Sequence, residues 1–373
     1  MSTTPPPSKH NSNIAIWTAV RGIAALWVVT MHFGSHFSPS IEGQIVNRGY
    51  LAVDLFFVLS GMVMFHVYER SIRLHTFSFQ EFIYKRFARL YPVHLATLIV
   101  AIFVLISGHI LGLKVLPDDF LFDIFANTIM IHGWGVTNGM SLNYPSWSIS
   151  AEFFAYLVFL PVSLFVLHLR DWTAFFIGVA LFFLFAFTIE HFGTQSGRVA
   201  PEGGLLLTRL TYDFSNLRIL PEFVLGIAAC RIVKSMQKQA SVRRTHGAVA
   251  SVVFFLALIL SIELSKDAMF VLFAPLFLGA LYIWNPKPNR AIIYLGEISY
   301  SIYMVHALVQ MVGFTILERS LGVAEDEVPL VFTPLMLFLA IAAGSMLFHV
   351  VEVPCRQHII KRLSNKAGYT AER

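Results

Sequence analysis

The amino-acid sequence has little charge and little cysteine. Asp, Glu, Lys and Arg make up 13% of the 373 residues, and cysteine occurs twice, at Cys230 and Cys355. Two cysteines near predicted helix ends form neither a disulfide framework nor a metal-binding pattern. The GxxxxGK[ST], HExxH, GxSxG, CxxC and Rossmann motifs are missing, and the 14 histidines have no metal-ligand spacing. Nucleotide hydrolysis, zinc hydrolysis and redox chemistry therefore lack their usual signals, and no metal is expected.

Apolar sequence, by contrast, is abundant. Hydrophobic residues make up 56% of the chain, and about ten apolar runs are each long enough to cross a hydrocarbon core of ~30 Å as a helix. The sequence therefore predicts an all-α polytopic membrane protein without a sizeable soluble domain. A further apolar patch at 120–131 is too short to cross and is expected to be re-entrant or interfacial. The predicted transmembrane spans lie near residues 14–34, 50–68, 91–112, 147–168, 173–191, 215–230, 247–264, 268–284, 292–317 and 329–351.

The distribution of basic residues predicts the orientation of these spans. With the N-terminus inside, the cytoplasmic segments hold 19 lysines and arginines and the outer segments hold 6. This asymmetry follows the positive-inside rule and predicts that both termini are cytoplasmic. It also explains the net charge of +5 without a nucleic-acid partner. We expect three parts: a disordered tail at 1–13, a transmembrane domain at 14–357 and a cytoplasmic tail at 358–373.

Charged side chains inside the predicted spans carry the functional information, because a charge at the membrane centre costs about 2.5 to 3.5 kcal/mol. Arg21 and His32 are eleven residues apart in the first span, so they share one helix face and lie about 16 Å apart along its axis. Arg21 falls in the inner third of the span and His32 near its outer end. The plain alternatives are a snorkelling anchor for Arg21 and an interfacial histidine for His32.

Two carboxylates are predicted at the depth of His32. Asp54 lies near the outer end of the second span, and Glu152 lies about 8 Å below the outer start of the fourth. A carboxylate on one imidazole nitrogen fixes the tautomer and raises the basicity of the other nitrogen, as a general base requires. Asp54 is therefore predicted to orient His32, and Glu152 to position an acceptor or share protons. The alternative is a buried ion network that only locks three helices together.

Other polar groups inside the spans are less specific. Arg218 and Glu222 are four residues apart in the sixth span and are able to pair with each other. A polar stripe at three-to-four spacing marks the ninth span and is expected to line a substrate channel or a helix contact. The residues of this stripe are Glu297, Tyr300, Tyr303 and His306.

A basic cluster precedes the third span on the cytoplasmic side. The sequence YKRFARLYPVH brings Lys85, Arg86 and Arg89 together in a loop, and Pro92 restricts the backbone at the start of the span. Such a cluster is most often a topology anchor or a contact to lipid head groups. Arginine donors also suit phosphates, so the cluster is a candidate site for an anionic cytosolic ligand.

Six motifs occur together and in order. They are the Arg21–His32 pair, VDLFFVLSG at 53–61, RFARLYPVH at 86–94, WSISAE at 147–152, LGEISYSIYMVH at 295–306 and VEVP at 351–354. In this combination the chain resembles the acyltransferase-3 family of bacterial integral-membrane O-acyltransferases, over roughly residues 14–357. The resemblance implies transfer of an acyl group, usually acetyl, from cytosolic acyl-CoA to a hydroxyl group. Acceptors in that family are mostly sugars of exported or surface glycans, such as O-antigen or exopolysaccharide, and in a minority macrolides.

The resemblance also implies roles for particular residues. Arg21 and His32 would be the essential pair, and Arg86 and Arg89 would belong to the donor-binding motif, with no metal. His32 would take the proton of a hydroxyl on a glycan or lipid-linked saccharide, although a two-step route through an acylated His32, Tyr300 or Tyr303 is equally open. The implied location is the bacterial cytoplasmic (inner) membrane, among membrane lipids. A proton-coupled small-molecule transporter is the rival prediction, since it too would carry charges near the membrane centre.

Overall fold

The computed structural model describes residues 12–41, 43–113, 115–140, 142–193, 204–239, 242–324 and 326–366. Nine helices within these ranges are long and apolar enough to cross a membrane, which confirms the prediction of an all-α polytopic protein. One pair of two-residue strands, β1 (Phe37–Ser38) and β2 (Val328–Pro329), runs parallel and ties the end of the first span to a loop late in the chain.

The helices of the first half are α1 (Ser12–Gly34), α2 (Gln44–Asn47), α3 (Leu51–Arg73), α4 (Phe79–Ile110), α5 (Phe120–Thr128), α6 (Trp147–His168) and α7 (Asp171–Phe192). Those of the second half are α8 (Ser215–Gln237), α9 (Arg244–Glu263), α10 (Asp267–Trp284), α11 (Arg290–Glu297), α12 (Ser299–Val309), α13 (Thr315–Leu321), α14 (Thr333–Leu347) and α15 (Val353–Lys366). Two π-helical segments, Gln310–Phe314 and Phe348–Glu352, join α12 to α13 and α14 to α15. Short 3-10 turns lie at Tyr144–Ser146, Leu207–Arg209 and Leu330–Phe332.

Helix α8 lies at the centre of the bundle, where it packs against α3, α6, α7 and α10. It corresponds to the sixth predicted span, and at 23 residues it is as long as its neighbours. Arg218 and Glu222 make α8 less apolar than the other nine predicted spans. Its contact with α3 is close, because a Cβ atom on Gly226 would stand 2.1 Å from the backbone oxygen of Val58. Small residues permit such an approach of two helix backbones.

The start of α4 differs from the prediction for the third span. The helix begins at Phe79 instead of near residue 91, and the Ser78 hydroxyl caps it by accepting a hydrogen bond from the Glu81 backbone N–H at 3.3 Å. Pro92 therefore lies inside the helix. The basic cluster is helical, not part of a loop, so its side chains point in fixed directions.

The ninth and tenth predicted spans are also modified. The ninth is divided at Ile298, where α11 ends and α12 begins. The tenth continues through its π segment into α15, so residues 358–366 of the predicted cytoplasmic tail are helical. The apolar patch at 120–131 forms the nine-residue helix α5, a length too short to cross a bilayer, as expected.

Candidate active site

A cavity of about 140 Å³ lies between α1, α3, α4, α6 and α12. It unites six of the residues singled out from the sequence, which come from four separate helices. Its charged and hydroxyl-bearing lining residues are Arg21, Ser60, Arg86, Arg89, Ser148, Glu152, Tyr156, Ser299, Tyr300 and Tyr303. Because α4 enters the bundle from the basic, cytoplasmic side, the arginines of α4 mark the inner end of this cavity.

Two arginines of the cavity keep unused hydrogen-bond donors. Arg21 donates from Nη2 to the backbone oxygen of Gly296 at 3.3 Å, and Arg86 donates from Nη2 to the hydroxyl of Tyr68 at 3.4 Å. The Nε atoms of both arginines are buried and have no hydrogen-bond partner among the described residues. A buried donor without a partner is costly, so both side chains are suited to an anionic or carbonyl group brought in by a ligand.

Arg89 is held differently from Arg86. Its Nη1 atom forms an ion pair with Glu352, whose other oxygen accepts a hydrogen bond from the Ser301 hydroxyl at 2.7 Å. The Arg89 guanidinium carbon also lies 5.9 Å from the ring centroid of Tyr300. Glu352 is fully buried and is the last residue of a π segment. Glu352 belongs to the VEVP motif but had no role predicted from the sequence; its signal was a carboxylate directly after the tenth apolar span.

Glu152 lies in this inner cavity and not beside His32. Its Oε1 atom accepts hydrogen bonds from the hydroxyls of Ser60, at 2.9 Å, and Tyr156. The prediction that Glu152 lies at the same depth as His32 required every span to start at the same level of the membrane. Ser60, however, is in the middle of α3, so the contact puts Glu152 deeper than the helical rise alone suggested.

The structure also corrects the predicted pairing of Asp54 with His32. Both carboxylate oxygens of Asp54 accept hydrogen bonds from Arg218, from Nε at 2.9 Å and from Nη2 at 2.8 Å. The two side chains are fully buried, and Arg218 makes no hydrogen bond to Glu222. The bidentate geometry between α3 and α8 is stronger than a contact within one helix, so Asp54 serves the packing of the central helices.

His32 instead lies between two other rings near the outer end of α1. Its ring centroid is 5.0 Å from that of Tyr144 and 5.2 Å from that of His306. Within the described part of the chain, neither ring nitrogen of His32 has a protein hydrogen-bond partner. The side chain is partly exposed, whereas His306 is fully buried. A nitrogen of His32 is thus available to a substrate group, as proton transfer requires.

Gln310 connects the elements around His32. Its Nε2 atom donates to the backbone oxygen of His32 at 3.1 Å and to His36 Nε2 at 2.7 Å, and its Oε1 atom accepts from the Tyr144 hydroxyl at 2.5 Å. Gln310 begins the π segment after α12, and such segments are frequent at functional sites. One side chain therefore fixes α1, the turn before α6 and α12 relative to one another. Gln310 and Tyr144 were not predicted from the sequence, although Gln310 continues the polar stripe of the ninth span four residues after His306.

The loop that carries Tyr144 is itself anchored in the protein. The Asn143 side chain donates to a backbone oxygen of α12 at 2.9 Å, and the Ser146 hydroxyl lies 3.0 Å from His132 Nε2. Burial, followed by the nearby charge of His94, lowers the pKa of His132 to about 3. His132 is therefore neutral at pH 7, and the loop is held by neutral hydrogen bonds.

His36, Glu318 and Asp326 bring three potential metal-ligand atoms within 4.8 Å of one another. Because His36 Nε2 accepts from Gln310, its ring proton is on Nδ1, the atom that contacts Asp326. Glu318 accepts the backbone N–H of Asp326 at 3.3 Å. That the protein uses no metal stays a prediction.

Tyr303 lies between the inner cavity and the histidines. It lines the cavity, and its ring centroid is 5.7 Å from that of His306. Its hydroxyl donates to the backbone oxygen of Pro145 at 3.1 Å and accepts from the Ser148 hydroxyl at 2.9 Å. His32 is not among the residues that line the cavity. The arginines and the imidazole of His32 therefore lie on opposite sides of Tyr303, and a path between them has to pass its ring.

Comparison with known proteins shows which family this chain belongs to. The family model described as an acyltransferase domain, Acyl_transf_3, matches residues 14–350. The chain belongs to this acyltransferase family. It is 29% identical over 380 residues to Acyltransferase MdmB of Streptomyces mycarofaciens, covering 92% of each chain. It is also 36% identical over 119 residues to Protein 2 in picA locus of Rhizobium radiobacter, covering 32% of this chain and 57% of that protein. No solved structure matches it.

Membership in the family establishes the chain as a multi-pass membrane enzyme that transfers acyl groups. Besides His32, Asp54 and His306, two further residues predicted for the site of this acyltransferase do not line the cavity. Lys85 is partly exposed and pairs with Glu81 at 2.6 Å. Successive residues of a helix are rotated by about 100°, so the side chains of Lys85 and Arg86 point in different directions. Glu297 is exposed at the end of α11, since the break at Ile298 separates it from the stripe on α12.

Proposed function

We propose that this acyltransferase moves an acyl group, acetyl in the first instance, from cytosolic acyl-CoA to a hydroxyl group of a carbohydrate acceptor. The acceptor is an exported or surface glycan or its lipid-linked precursor, and the membrane is the bacterial cytoplasmic membrane. The proposal is supported mainly by the cavity, because three of its lining residues, Arg21, Arg86 and Arg89, lie on the side where the basic loops are. A donor of cytosolic origin would enter on that side, whereas an exported acceptor would meet His32 near the opposite face.

The chemistry of the cavity lining suits part of a donor that has phosphates at one end and a thioester at the other. Arg86 offers a buried Nε–H without a protein partner among the described residues, and guanidinium donors match phosphate oxygens. Arg21 offers a second such N–H deeper in the bundle. Because Arg21 lies about 16 Å from His32 along α1, it is suited to bind a phosphate or carbonyl oxygen of the donor away from the reacting carbon. The apolar wall from α3, including Phe56 and Val63, suits the uncharged arm between the two ends.

In the proposed reaction His32 acts as general base towards the acceptor. An imidazole nitrogen takes the proton of the acceptor hydroxyl, and the hydroxyl oxygen attacks the carbonyl carbon of the thioester. The carbon–sulfur bond then breaks, an ester forms, and CoA leaves as a thiolate that regains a proton. His306 and Tyr144 hold the His32 ring by packing, and Gln310 holds its backbone.

Direct transfer requires the side chain of Tyr303 to move, because its ring separates the cavity from His306 and His32. Two neutral hydrogen bonds hold its hydroxyl, and each contributes about 1 kcal/mol, so the thioester is able to displace it. The two-step alternative makes Tyr303 or Tyr300 the nucleophile. Tyr300 is less suited to this, since its hydroxyl donates to the Leu90 backbone oxygen at 2.6 Å.

Mass spectrometry of cell-surface glycans tests the proposed acceptor. Glycans from cells that carry the gene should contain an acyl increment, +42 Da if it is acetyl, that is lost on deletion. The gene for the wild-type protein should restore it, and the gene for His32→Ala should not. Unchanged glycans together with an acylated small molecule, such as a macrolide, would overturn the carbohydrate acceptor while leaving the acyl transfer intact.

A further inference from the structure

A second cavity, of about 380 Å³, lies in the half of the bundle away from the acyl-transfer path. It is formed by α7, α8, α9 and α10, and almost all of its lining side chains are apolar. Representative lining residues are Phe175, Ile232, Val242, His246, Phe254 and Leu276. By the order of the spans it lies at their cytoplasmic ends, because α8 ends and α9 begins on that side.

Exposed apolar side chains next to the lining residues indicate that the mouth of this cavity faces the hydrocarbon region of the membrane. Large apolar side chains flank it on both helices that form its edges: Phe176 on α7 is 63% exposed and Val249 on α9 is 64% exposed. Water does not fill a cavity of this kind, since an apolar space offers it no hydrogen bonds. An apolar chain gains packing contacts there that an empty cavity lacks. The occupant that the surroundings supply is therefore an acyl chain of a lipid.

The cytoplasmic rim of the cavity is positively charged. Arg243 and Arg244 lie between the lining residues Val242 and His246 in the chain, and both are exposed. The nearby carboxylate of Asp171 is already paired with Arg231, at 2.7 Å. Basic pockets between transmembrane helices on the cytoplasmic side suit anionic lipid head groups. Trp172, which also lines the cavity and is 54% exposed, is a typical side chain for the level of the head groups.

We propose that this cavity binds one acyl chain of an anionic glycerophospholipid of the cytoplasmic leaflet, with the lipid phosphate at Arg243 and Arg244. The apolar lining sets the depth of the chain, and the two arginines select the charge of the head group. The site is separate from the acyl-transfer path and does not depend on which donor or acceptor that path uses.

Native mass spectrometry of the full-length protein in detergent tests the site, with phosphatidylglycerol and phosphatidylethanolamine as probes. After delipidation, the wild-type protein should retain one phosphatidylglycerol more tightly than phosphatidylethanolamine. Replacing both arginines, in Arg243→Gln/Arg244→Gln, should weaken phosphatidylglycerol binding about fivefold for each charge, or roughly 25-fold. The matched control, Lys361→Gln/Arg362→Gln, removes two exposed charges of α15 on the same membrane face and should change nothing.

A cavity-filling pair tests the acyl chain separately from the head group. Ala250 lines the cavity and Ala248 on the same helix does not. Ala250→Phe should abolish retention of this one lipid, whereas Ala248→Phe should keep it, and thermal unfolding should confirm that both are folded. The proposal is overturned if both probe lipids bind equally, if Ala250→Phe and Ala248→Phe retain the same lipid, or if the cavity retains acyl-CoA in place of phospholipid.

Discussion

The side-chain amide of Gln310 donates a hydrogen bond to the backbone carbonyl of His32 at 3.1 Å. The same amide bonds His36 and Tyr144, so the end of α1 is fixed to the π segment that follows α12. Among the described residues, no carboxylate contacts the His32 ring to orient it. Its position depends on packing between Tyr144 and His306, and on the hold that Gln310 has on the backbone.

Removing the amide of Gln310 should therefore reduce catalysis without weakening donor binding. Gln310→Leu keeps the size of the side chain and loses all three hydrogen bonds. Misplacement of a reacting group by about 1 Å can cost about 100-fold in rate, so we expect kcat to fall by roughly 10- to 100-fold with KM for acetyl-CoA unchanged. Gln44→Leu, an exposed glutamine on the same face, is the control. A rise in KM for acetyl-CoA with unchanged kcat would contradict this role.

Asp54 should matter for stability and not for the protonation of His32. Asp54→Asn removes the carboxylate that forms the bidentate pair with the buried guanidinium of Arg218, which we expect to cost about 3 to 5 kcal/mol. Thermal unfolding in detergent measures this directly, and His32→Ala should unfold close to the wild-type temperature. The role is contradicted if Asp54→Asn is as stable as wild type but has an altered pH profile of activity.

Arg86 and its neighbour Lys85 should differ in their effect on donor binding. Arg86 lines the cavity with an unpartnered N–H, whereas Lys85 pairs with Glu81 outside it. A hydrogen bond to a charged group contributes about 1.5 to 3 kcal/mol, so Arg86→Gln should raise the Kd for CoA by roughly 10- to 100-fold. Lys85→Gln should leave it unchanged. Isothermal titration with CoA distinguishes them, and equal effects would mean that the cluster acts only through its total charge.

Substitution of Tyr303 distinguishes direct transfer from an acyl-tyrosine route. Tyr303→Phe keeps the ring between the cavity and His306 but removes the hydroxyl that bonds Pro145 and Ser148. Direct transfer predicts less than about a tenfold fall in kcat, because the two neutral hydrogen bonds that are lost are ones the thioester has to displace anyway. Peptide mass spectrometry after incubation with acetyl-CoA should find Tyr303 unmodified. Complete loss of activity together with an acetylated Tyr303 in the wild type would establish the two-step route.

The sequence was sufficient for the parts of the site that depend on one helix. The alignment of Arg21 and His32 along α1, the basic pair Arg86 and Arg89, and the Tyr300–Tyr303 face of α12 all follow from helical periodicity. The distribution of positive charges among the loops predicts the direction of the spans. These features are local, so they survive errors of several residues in the span boundaries.

Contacts between helices could not be predicted in this way. Asp54 and Glu152 were assigned to His32 by depth, but depth does not say which helices are adjacent or how they are rotated. The actual partners, Arg218 and Ser60, depend on the packing of α8 and α6 against α3. Glu297 was wrongly placed in the polar stripe, because the helix breaks at Ile298. The sequence has no proline or glycine at that position to indicate the break.

We propose that this acyltransferase takes its acyl group from acyl-CoA and uses His32 to deliver it. The most direct measurement follows purified protein with acetyl-CoA and a glycan acceptor, counting free CoA thiol and acetyl ester together. The wild-type protein should give equal amounts of free CoA and acetyl ester. His32→Ala should lower both amounts by about 100-fold or more, and the exposed control His191→Ala should keep full activity. Undiminished ester formation by His32→Ala, or ester formation without release of CoA, would contradict this proposal.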